Sequence, residues 1–66
     1  MRPLTAQQRQ VAELVADGLS NKRIAALLGL SVGAVEQAIV RIAAKLGLGQ
    51  RYARRVAITR WVKDAA

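Results

Sequence analysis

The sequence predicts an all-α domain of four helices. Three observations carry this: apolar residues recur at i, i+3, i+4 in successive segments, Thr or Ser stands before three of them (Thr5, Ser20, Ser31), and Gly stands after those three (Gly18, Gly29, Gly47). No segment alternates apolar and polar residues as a half-buried strand does. The 66 residues read as one domain, 1–66, with helices at about 6–17, 21–28, 32–46 and 51–63.

The first helix begins after Thr5, and Gln8 three positions on completes a capping box in which each side chain accepts the other residue's backbone N–H. Leu4 is placed to staple onto the helix, and Val11, Leu14 and Val15 form its apolar stripe. Ser20 caps the second helix, where Ile24, Leu27 and Leu28 repeat the same spacing before Gly29. After the short turn Gly29-Leu30-Ser31 the third helix steps inward through Val35, Ile39, Ile42 and Leu46, which places Gly33, Gln37, Val40 and Ala44 opposite, with Glu36 and Arg41 on the flanks. The fourth starts near Gln50 or Arg51. Its stripe is Ala57, Ile58, Trp61, Val62 and Ala65, with Arg54 on that side and Arg51, Arg55, Thr59 and Lys63 on a polar flank.

Composition narrows the function. A chain this short buries only about 60% of the surface its unfolded form exposes, and without Cys or His it has neither disulfides nor soft metal ligands to add stability. Packing and oligomerisation are what remain. No cofactor and no metal are expected, and the cytoplasm is the expected compartment. The longest uncharged run, Ile24 to Val35, falls far short of the ~20 residues of a spanning helix, and no apolar segment follows MRPLTAQQR to make a secretory signal. The only carboxylates are Glu13, Asp17, Glu36 and Asp64. Glu13 and Asp17 read as a solvated face rather than an acid/base pair, so no enzyme is expected. Eleven Lys and Arg against four Asp and Glu give a net charge of +7 and predict a polyanionic partner. Residues 34–66 hold seven of the eleven basic groups and two acidic ones, a surplus of +5.

Two short helices joined by a tight turn containing Gly, the second longer and Ser-capped, match the helix-turn-helix pattern. By pattern alone, a helical bundle that binds no DNA gives the same spacing.

The run LTAQQRQVAELVADGLSNKRIAALLGLSVGAVEQAIVRIAAKLGL, followed by GQR and a last helix, resembles the LuxR-type (GerE-type) helix-turn-helix domain of bacterial transcription regulators in its stand-alone form. The most specific parts are Leu4-Thr5, Gly18 to Ala25, Leu28 to Ser31, and Lys45 to Leu48 with Arg51 after it. Region 4 of sigma factors shares the SVG-x-V element, but the K-L-G-L-x-x-R continuation favours the LuxR type.

The resemblance implies a third helix in the major groove and a fourth that builds a two-fold dimer interface. It places Asn21, Lys22 and Lys45 near DNA phosphates and base contacts at Glu36, Gln37 and Val40, with Arg41 beside them. The helix N-terminus with Lys22 and Arg23 suits phosphate on physical grounds as well, and Arg51 is a further expected phosphate contact. Several residues depart from the family. Ala34 replaces a common Thr, and Glu36 and Val40 stand where basic residues are frequent. Arg54 and Arg55 occupy positions that are usually apolar in the dimer interface. Either that interface is displaced toward Ile58, Trp61 and Val62, with Arg54 at its edge, or the arginines meet phosphate or an acidic partner. Glu36 suits cytosine N4, Gln37 adenine N6 and N7, and Val40 a thymine methyl.

The expected function is therefore sequence-specific recognition of double-stranded DNA by a homodimeric transcription regulator. The alternative is a protein-interaction module or anti-activator that binds a related regulator or RNA polymerase. Membrane binding is not expected.

Overall fold

Side-chain caps start three of the four helices. The computed structural model describes residues 3–47 and 53–65, which form α1 (Ala6–Ala16), α2 (Asn21–Leu28), α3 (Val32–Lys45) and α4 (Arg54–Ala65). Thr5 Oγ1 accepts the Gln8 backbone N–H and Gln8 Oε1 accepts that of Thr5, both at 3.1 Å. Ser20 Oγ accepts from Arg23 N–H and Ser31 Oγ from Ala34 N–H, again at 3.1 Å. Each bond satisfies a donor that the first helical turn leaves without a partner.

α4 begins at Arg54, later than the start near 51 that periodicity suggests, and runs on to Ala65. Its first turn closes on the Ala53 carbonyl, which accepts the Ala57 N–H at 3.0 Å. No Ser, Thr, Asn or Asp lies between 50 and 53 to mark the start, so the sequence holds no capping signal there.

The core is built from all four helices. Val11 and Val15 of α1, Ile24 of α2, Val35, Ile39 and Ile42 of α3, and Ile58 of α4 are all at most 5% exposed. Leu4, Leu14, Leu28 and Trp61 pack around this cluster. α1 packs most extensively on α4, and α3 lies against α1, α2 and α4.

Leu27 does not join the core; it is 57% exposed. Ile24 and Leu28 are accompanied inward by Ala25, which is 4% exposed. At about 100° per residue, Ala25 draws the buried face to the side away from Leu27, which ends roughly 100° from the centre of that face.

Gly29 adopts the left-handed conformation, φ 68° and ψ 33°, and this lets the Leu30 N–H bond the Ala25 carbonyl at 2.9 Å, closing α2. A Cβ at Gly29 would meet nothing within 4 Å, so substitution there adds backbone strain without a clash. Gly29→Ala is expected to cost about 1–2 kcal/mol, lowering Tm by roughly 5–15 °C in a chain of this size. A circular-dichroism melt reads this directly, and an unchanged Tm would show that the turn tolerates another geometry.

Candidate DNA interface

α2 and α3 meet at an angle of 105° across the Gly29-Leu30-Ser31 break, within the range of helix-turn-helix pairs. With Val35, Ile39 and Ile42 buried, α3 turns its other side to solvent. Glu36, Gln37 and Arg41 are exposed there and Val40 is 45% exposed. These four line one shallow depression with Gly33, whose lack of a side chain opens its floor.

A second depression shares Glu36 and Val40 with the first. It continues to Asn21 at the start of α2 and to Ala53, Arg54 and Arg55 at the start of α4. The outward face of α3 and the first residues of two other helices thus form a continuous surface. Lys22 and Arg23 are exposed beside Asn21 in the first turn of α2. Their cationic groups add to the partial positive charge of that helix end, an arrangement that attracts phosphate.

The remaining sites fare differently. Lys45 Nζ donates to Gln8 Oε1 at 2.7 Å and to the Pro3 carbonyl at 3.4 Å, so this ammonium ties the end of α3 to the start of α1. Arg51 lies outside the described residues. Ala34 contributes its backbone N–H to the Ser31 cap, and its methyl is half-buried.

Ile58 is not an interface residue on the surface. It is 0% exposed and fills the core opposite α1 and α3, because α4 needs one large side chain pointing inward next to the small Ala57. Trp61 and Val62 are half-buried against that core and reach solvent along a depression shared with Arg9, Ala12 and Glu13 of α1. Arg54 is exposed and borders the α3 face instead.

Sequence reasoning missed two side-chain bridges. Arg55 spans from α4 to the corner before α2: Nη1 donates to Asn21 Oδ1 and Nη2 to the Leu19 carbonyl. Gln8 serves both as cap and as partner of Lys45. Both bridges join residues more than 30 positions apart, and nothing in local spacing announces them.

Among the described residues no single helix is long and apolar enough to cross a membrane, and no group of His, Cys, Asp and Glu could hold a metal ion. Comparisons with curated proteins and with solved structures gave no match. Residues 2–59 match the family described as bacterial regulatory proteins, luxR family. That span contains the capped helix pair, its turn and the outward face of α3, and the chain belongs to this family of helix-turn-helix regulators.

Proposed function

We propose that this protein is a sequence-specific transcription regulator that binds DNA as a homodimer, with α3 in the major groove. Family membership supports DNA binding and a regulatory role. The observation that carries the finer reading is the joining of the Glu36, Gln37, Val40 and Arg41 depression to a surface that holds Asn21 and Arg54. α3, 14 residues long and about 10–12 Å across with its side chains, fits a groove about 12 Å wide. Gly33 and Ala44, small and exposed on the same helix, permit close approach to base edges.

In this reading Gln37 bonds adenine N6 and N7, Glu36 accepts from cytosine N4, Val40 touches a thymine methyl and Arg41 donates to guanine or a flanking phosphate. Affinity comes from elsewhere, because Glu36 repels phosphate. Lys22, Arg23 and Arg54 supply cationic charge around the face, with Lys45 and Arg51 as further contributors. A two-fold dimer would set half-sites about 34–36 Å apart, and the exposed edges of Trp61 and Val62 on α4 are where two copies would meet.

Selection from randomised duplexes, read by fluorescence anisotropy, tests this reading. The expected outcome is a defined motif containing cytosine opposite Glu36, and a Glu36→Lys variant that binds more tightly and loses that cytosine. Weak binding without a motif, vanishing as salt rises, would refute base reading.

A different depression favours the second reading. Leu14, Leu27 and Leu28 line it with Glu13 and Asp17, and neither Lys nor Arg contributes. An acidic, apolar surface on so basic a protein suits a protein partner that presents an apolar residue between basic ones. A stoichiometric partner in native co-purification, with activity unchanged in Gln37→Ala and Val40→Ala, would select this interaction role over base reading.

A further inference from the structure

Arg55 is half-buried and carries a charge toward the interior corner between α1 and α2. Its guanidinium donates to two acceptors there, Asn21 Oδ1 and the Leu19 carbonyl, while the Thr59 hydroxyl donates to the Arg55 carbonyl at 2.8 Å one turn further along α4. A guanidinium has donors only, so the amide atom of Asn21 that faces it has to be the oxygen. The two N–H groups of the same amide then point away from Arg55. Asn21 also lines the depression that runs beneath Glu36 and Val40.

We propose that Arg55 is a positioning residue for DNA binding: it fixes the Asn21 side chain with its NH2 turned outward to a backbone phosphate, and it holds the start of α2 in register with α4. The inference rests on the DNA-binding reading above. A planar fork matters here because one side chain must satisfy two acceptors on different residues; an ammonium supplies the charge without the fixed geometry. The same contact gives α4 a direct connection to the edge of the DNA-facing surface, so a change in how α4 pairs with another copy would be felt at Asn21.

Three variants separate positioning from charge and from stability, each titrated on the selected duplex over a salt series. Arg55→Lys keeps the charge and loses the fork; binding is expected to weaken about tenfold with an unchanged salt slope. Asn21→Asp keeps an acceptor for Arg55 but loses the outward NH2. It should weaken binding at least as much while its Tm stays at or above that of the wild type. Arg55→Met should leave the slope as it was, because a neutral Asn contact releases no counterion. Arg55→Lys or Asn21→Asp binding like the wild type would overturn the proposal. So would a slope reduced by about 0.9 in Arg55→Met, which marks Arg55 itself as a phosphate contact. Wild-type protein that binds no duplex removes the DNA-binding reading first, whereas a wild type that binds alongside an equally tight Arg55→Lys removes only the role of Arg55.

Discussion

Ile42→Ala is expected to leave the chain largely unfolded at room temperature. Ile42 is 0% exposed, among the largest fully buried side chains, and lies on the α3 line that faces the other helices. Truncating a buried Ile to Ala costs about 2–5 kcal/mol through lost transfer energy and the cavity left behind. A core of this size supplies roughly 3–5 kcal/mol in total. The two figures overlap, so the variant loses most of its margin. Helical circular dichroism and a urea titration would show it: low ellipticity without denaturant is expected, and addition of a tight DNA ligand should recover part of the signal by mass action. A melt within a few degrees of the wild type would mean that the neighbours collapse into the space. Leu27→Ala is the internal contrast, since that side chain is already 57% exposed and should change Tm little.

The second large effect is on binding. Lys22→Ala combined with Arg23→Ala removes two exposed cations from the start of α2 while leaving the Ser20 cap intact, because the cap uses the backbone N–H of Arg23 and not its side chain. If each neutralises one phosphate, the slope of log K against log salt becomes shallower by about 1.8. At ~0.15 M salt each lost contact is worth about 5.5-fold on this relation, so affinity should fall roughly 30-fold. If both contact phosphate alone, base preference should be retained, because phosphate contacts carry no sequence information directly. Anisotropy titrations at three or more salt concentrations give both quantities. A loss of the same size at every salt concentration would rule out phosphate contacts at this helix end.

Local signals carried most of the fold. Thr5, Ser20 and Ser31 are cap residues whose side chains bond within three positions, and so their role is written in adjacent letters. Val35, Ile39 and Ile42 could be placed inward on periodicity alone, and the exposure of Gln37 and Val40 followed by exclusion. Where spacing left two choices, packing decided. Leu27 and Ala25 flank the direction shared by Ile24 and Leu28 on opposite sides and at about equal angles, roughly 80° each, so spacing could not choose between them; the packing of α2 against α3 and α1 covers Ala25 and leaves Leu27 exposed. Ile58 shows a related ambiguity, since an apolar stripe on α4 could cover its own core or a second copy. The α3 surface was legible as a set of residues, whereas its continuation to Asn21 and Arg54 depended on how distant helices come together.

The pairing of α1 with α4 has a consequence for how the molecule is made. Helical bundles with neighbouring helices in contact assemble from local pieces, but here the first helix finds its most extensive partner in the fourth. During synthesis the side of α1 that borders Trp61 and Val62, at Arg9, Ala12 and Glu13, therefore lacks its α4 partner until α4 has left the ribosome, although α2 and α3 are already available to its other sides. The helix-turn-helix pair is complete in sequence long before that moment, yet its support is not. Full ordering of the bundle that carries the α3 face thus waits for α4, and a nascent chain halted before α4 would leave the α4-facing side of α1 open to chaperones.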